Sequence, residues 1–177
     1  MPNPGSTQSK NSNTAKNRRS SARLAAVQAL YQMDVAQTNL PEVLEEFRAF
    51  RLGKEVEGDQ FSKADIAFFD SLLSGIVAEQ KGLDPLIDKH LASSWRLNRI
   101  DSTLRAILRA GAFELTKRGD VPSAVVISEY VDVAHSFFEG QEPKVVNGVL
   151  QNIWNAFSEQ QVEPDVNAGP GIPAGDG

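Results

Sequence analysis

Apolar residues recur with helical spacing along nearly all of the chain from Arg23 to Phe157. Leu24, Val27, Leu30, Tyr31 and Val35 share one face, which puts Tyr31 on a core stripe, and Val43, Leu44, Phe47 and Phe50 share the next. Over residues 63 to 81 the stripe is Ile66, Phe69, Leu73 and Ile76, with Ser62 as N-cap, Asp65 three positions on and Phe61 placed to staple onto Ile66. A short helix from Pro85 carries Leu86, Ile87 and Leu91. Leu104, Ile107, Leu108 and Leu115 follow, then Val126, Ile127, Tyr130, Val133, Ala134 and Phe137. Val145, Val146, Val149, Leu150, Ile153, Trp154 and Phe157 make a double seam, which predicts that the last helix is the most buried element.

The breaks in this pattern are regular. Gly-x-x-Pro occurs as Gly82–Pro85, Gly119–Pro122 and Gly140–Pro143, and Asn39 precedes Pro41. Glycine or asparagine accepts the left-handed conformation that ends a helix, and proline suits the first turn of the next, so each reads as a helix-to-helix corner. The fold class predicted is all-α: about seven helices in two packed subdomains, near 20–81 and 82–158. Polar residues 1–19 and the Gly/Pro-rich, acidic residues 159–177 read as disordered tails. Gly75, Gly111 and Gly148 fall inside helices at about 1 kcal/mol each relative to Ala, which points to close helix approach or to a surface that admits RNA or a partner.

Charge is unevenly distributed along the chain. The net charge of the 177 residues is −5, yet residues 1–33 hold Lys10, Lys16, Arg18, Arg19 and Arg23 without one acid. A +5 arm therefore leads a −10 body. The absence of cysteine excludes disulfides, thiolate metal sites and a cysteine nucleophile, and two histidines build no metal site. His90 and His135 lack a second ligand nearby and read as surface or locally bonded residues. No phosphate loop, dinucleotide motif or Gly-x-Ser-x-Gly elbow is present, which favours a binding protein over an enzyme and calls for no cofactor. No apolar run approaches the length of a membrane span, and the polar start lacks a signal peptide's apolar core, so a cytoplasmic protein is expected. Arginines at the head of a helix suit RNA phosphates; a targeting presequence or a solubilising arm is the alternative.

Four segments in order, Arg23–Tyr31, Ile107–Leu115, Asp120–Pro122 and Lys144–Leu150, resemble the NusB family of bacterial transcription antitermination factors over roughly residues 18 to 157. The resemblance implies two small helical bundles that bind the single-stranded boxA element of nascent ribosomal RNA. They do so with the ribosomal protein NusE and join RNA polymerase through other Nus factors, with no catalysed reaction. Carried over by position, Arg18, Arg19 and Arg23 match the basic start of the family's first helix. Gln28 and Tyr31 match its Gln-Ala-Leu-Tyr segment, and Lys144 and Asn147 its Lys-Phe-Val-Asn-Gly segment. The arginines are expected to grip phosphates, with Lys144 nearer the other end of the RNA path. Val145 stands where the family often has Phe, which removes a stacking ring, and His135 stands where it has Lys.

Within the central helix, Arg105 follows Asp101 at the i+4 spacing of a helix-stabilising pair, and Arg109 with Glu114 reads as a second structural ion pair. Two rival functions stay open: a scaffold whose acidic body docks a basic ribosomal or polymerase protein, and a detached RNA-binding module of an rRNA cytosine methyltransferase.

Overall fold

Six α-helices carry the chain in the computed structural model, which describes residues 6–52 and 66–162: α1 (Ser6–Ala36), α2 (Leu40–Glu46), α3 (Ile66–His90), α4 (Ser102–Lys117), α5 (Ser123–Phe137) and α6 (Glu142–Val162). No strand occurs among the described residues. α1 begins at Ser6, well before residue 20, because neither glycine nor proline interrupts residues 6–36. Its end is marked by Gln37 in the left-handed region (φ 56°). Asn39, which reads as a helix end, instead caps α2, its Oδ1 accepting the Glu42 amide at 3.0 Å. Expected features at Phe61, Ser62 and Asp65, and most of the acidic tail, lie outside the described residues.

α2 runs into a π-helical turn, Phe47–Arg51, closed by the Leu52 amide on the Phe47 carbonyl at 2.9 Å. The wider turn shifts the apolar register by one residue. Phe47 stays buried and stacks on Phe69 at 5.6 Å, Leu52 enters the core, and Phe50, expected on the buried face, is turned outward.

Two Gly-x-x-Pro corners form as expected, between α4 and α5 and between α5 and α6. The third does not: α3 runs through Gly82 and Pro85 to His90, so the expected boundary at 81/82 lies inside one helix, and six helices replace seven. Leu83 and Ile87 continue its buried stripe, while Lys81, whose carbonyl loses the Pro85 amide, is on the exposed side. Burial of that stripe outweighs the helix-breaking tendency of proline. His90 closes the helix with Nδ1 at 2.9 Å from the Leu86 carbonyl, the local bond expected for it.

α4, and not the last helix as expected, is the most buried element and the axis of the fold, packed by α1, α3, α5 and α6, with Ala106 through Leu115 buried; Val145, Trp154 and Phe157 of α6 are only half-buried. Glycine permits two of its contacts: a Cβ on Gly75 of α3 would lie 2.2 Å from Phe113, and one on Gly111 would lie 2.6 Å from Leu150. Gly148 is different, with nothing within 4 Å of its Cβ position, so close helix packing does not explain it.

The arginines of α4 take their carboxylate partners from other helices rather than from α4 itself. Arg105 reaches Asp34 of α1 at 2.8 Å, and Arg109 reaches Asp84 of α3 at 2.7 and 2.8 Å. The expected Arg105–Asp101 pair fails because Asp101 is the N-cap, accepting the Thr103 and Leu104 amides. The Arg109–Glu114 pair fails because five residues of helix turn through about 500°, which sets the two on different faces.

Candidate nucleic-acid interface

α1 presents its cations in two ways. Arg18 is exposed and makes no ion pair among the described residues. Arg19, one position on, lies across the Phe68 ring at 5.0 Å and approaches Asp120 at 3.5 Å, with its side chain 41% exposed. One helical turn later Arg23 is buried, only 2% exposed. Its Nε and Nη2 donate to the Glu114 carboxylate at 2.9 and 2.6 Å, and Glu129 lies 3.7 Å from Nη1. Burial lowers the Arg23 pKa, but the hydrogen bond and charge of Glu114 outweigh it and the net shift is upward. Arg23 is thus a structural cation, and the expectation that it grips phosphate is corrected: its face is shut between α1 and α4.

Glu114 also accepts the Tyr130 hydroxyl at 2.8 Å. Burial first, and the neighbouring Glu114 charge second, hold the Tyr130 pKa well above its ordinary value. Ser20 donates to Glu129 at 2.7 Å and joins the network to the surface.

Farther along α1, Gln28 and Tyr31 line a groove of about 480 Å³ shared with Gln32, Val35, Thr103 and Phe137. Tyr31 does not belong to the core: it is 42% exposed, because α1 passes the end of α5 here and Phe137 flanks the groove without closing it. A second groove of about 630 Å³, between Lys16, Ser20 and Leu24 of α1 and Val125, Glu129 and Val133 of α5, precedes it. Arg18 and Tyr31 are 13 residues apart on one helix, roughly 20 Å of axis. Lys144 and Asn147 are exposed on the first turns of α6, which follows Phe137 after the short 138–141 connection. Neither forms a hydrogen bond or ion pair with α1 among the described residues.

Phe68, Arg118 and Asp120, at the basic end, escape the sequence pattern. Arg118 lies over Phe68 at 4.8 Å and chelates Asp120 through Nε and Nη2 at 3.2 and 3.3 Å. The Lys117–Arg118 doublet before the Gly119–Pro122 corner is the signal that marks it.

A family model described as the NusB family matches residues 20–155. The transcription antitermination protein NusB of Rhizobium rhizogenes is 57% identical over 137 residues, 77% of this chain and 86% of that protein. Its counterpart in Brucella ovis is 58% identical over the same length, covering 80% of that protein. Among solved structures, T. maritima NusB aligns with TM-score 0.66 and 27% identity over 81% of this chain and 94% of its own. A NusB solved with NusE and dsRNA aligns with TM-score 0.66 and 26% identity over 79% and 98%. By sequence and by fold alike, the chain belongs to the NusB family.

Proposed function

We propose that this chain is an RNA-binding transcription antitermination factor, binding the boxA element of nascent ribosomal RNA leaders together with NusE. The complex joins RNA polymerase through other Nus factors and opposes premature termination; the chain assembles it in the cytoplasm and catalyses no reaction. The observation that carries this reading is the set of exposed and half-exposed groups along α1 of a NusB-family chain: Arg18 and Arg19 near its middle, Gln28 and Tyr31 in a groove farther on. The cations supply the phosphate contacts that dominate affinity, and Tyr31 supplies a ring on which a base stacks for about 1 to 3 kcal/mol. Lys144 and Asn147 extend the path onto α6, where Gly148 leaves open space beside the helix backbone. A solved relative holding NusE and dsRNA supports both partners. The −10 body suits a basic ribosomal protein.

A gel-shift series on boxA RNA against a scrambled strand, with and without NusE, tests it. Preference for boxA, strengthened by NusE, is the expected result. Capture of NusE with no RNA binding by the pair contradicts it and favours the scaffold.

No helix of the described residues is long and apolar enough to cross a membrane.

A further inference from the structure

Arg118 and Arg19 come from different helices yet meet over one ring and one carboxylate. Arg118, at the end of α4, stands 4.8 Å over Phe68, and Arg19, on α1, 5.0 Å from the same centroid. Asp120, from the corner between α4 and α5, lies between them. Its Oδ1 and Oδ2 take Nε and Nη2 of Arg118 at 3.2 and 3.3 Å, and Oδ2 is 3.5 Å from Nη1 of Arg19. The third nitrogen of Arg118 donates to Ser71 Oγ at 2.8 Å, which fixes the plane of the guanidinium.

One guanidinium chelating a two-oxygen anion edge-on, with a second on the same aromatic ring reaching one of its oxygens, is a geometry that binds phosphate. The anion between them here belongs to the chain itself. Asp120 is 44% exposed, so it can turn out into solvent and leave the two arginines to another anion.

We propose that Arg19 and Arg118 form a phosphate clamp for the RNA backbone and that Asp120 is its internal competitor, occupying the phosphate position until RNA arrives. This rests on the RNA-binding function proposed above and adds to it a binding residue outside α1. Arg23 touches the same ring at 5.2 Å but takes no part, because its edge is spent on Glu114 inside the protein. The hydrogen bond from Arg118 holds the Asp120 pKa below its ordinary value. The competitor is therefore an anion at neutral pH, and its removal lowers the charge a phosphate must displace.

The test is anisotropy titration of fluorescent boxA RNA with the full chain and NusE, for wild type, Arg118→Ala, Arg118→Lys, Asp120→Asn and Arg18→Ala. Arg118→Ala weakens binding ~10-fold and lowers the slope of log affinity against log salt by about 0.7, the loss of one phosphate contact to a single strand. Arg118→Lys restores the slope but not the full affinity, since a lysine is a point charge without the two-bond edge. Asp120→Asn binds ~3-fold or more tighter than wild type, as expected when a carboxylate leaves an arginine pair. Circular dichroism confirms that each variant is folded.

If Arg118→Ala and Asp120→Asn match wild type in affinity and slope while Arg18→Ala weakens binding, the clamp is wrong and the RNA-binding function stands. If Arg18→Ala also matches wild type, both fall. Weaker binding by Asp120→Asn overturns the competitor role.

Discussion

Arg19 and Arg23 are one helical turn apart, and their guanidinium carbons lie 5.0 and 5.2 Å from the same Phe68 centroid, yet they serve opposite ends. Arg23 faces α4 and α5 and finds Glu114 and the edge of the Tyr130 network, both closed to water, with Glu129 at the rim. Arg19 faces the corner between α4 and α5 and finds one exposed carboxylate at 3.5 Å. Number and burial of the surrounding acids decide which arginine is a joint of the fold and which remains ready for a ligand. A buried pair resists separation because each partner alone is an uncompensated charge, whereas an exposed pair exchanges partners at little cost.

The most severe break of this contrast is Arg23→Ala. It strands Glu114 and is expected to lower unfolding free energy by about 3 to 5 kcal/mol in urea titration. A loss below 1 kcal/mol would place Arg23 with the surface cations. Next comes Gly75→Ala, which drives a methyl group into Phe113 and removes about 1 to 3 kcal/mol through overpacking. Gly148→Ala, in open space, should do the reverse and add up to about 1 kcal/mol.

Alkaline unfolding sharpens the buried side further. The Tyr130 pKa is raised by folding, so the stability it contributes is complete below the unfolded value of about 10 and is lost as pH rises through the folded value. Wild type is expected to lose stability above pH ~10 and Tyr130→Phe to show a flatter decline; identical profiles would remove Tyr130 from the network. The smallest stability effect belongs to Arg19→Ala, under about 1 kcal/mol for an exposed pair.

The helical spacing and the two corners at Gly119–Pro122 and Gly140–Pro143 are legible in the sequence, because local backbone chemistry decides them. Gly82–Pro85 has the same spelling and a different outcome, since Leu83 and Ile87 are buried and pull the helix onward. The fate of each arginine is not legible there. The acids that claim Arg23, Arg105 and Arg109 are 91, 71 and 25 residues away in sequence, beyond any local rule. Tyr31 reads as core by its period and stands in an open groove, because a stripe records which face is apolar and not where the neighbouring helix stops. Arg118 and Asp120 look like an ordinary charged turn until Phe68 and Arg19 are brought over from two other helices.

The division between joint and ligand-ready arginines is tested most directly by the salt dependence of boxA binding for two variants side by side. One is Arg18→Ala/Arg19→Ala. The other is Arg23→Met/Glu114→Gln, which removes the buried charges together while leaving an oxygen for the Tyr130 hydroxyl. The first is expected to flatten the slope by about 1.4, two single-strand phosphate contacts, and the second to leave it unchanged. A slope unchanged by the first and flattened by the second would contradict the account.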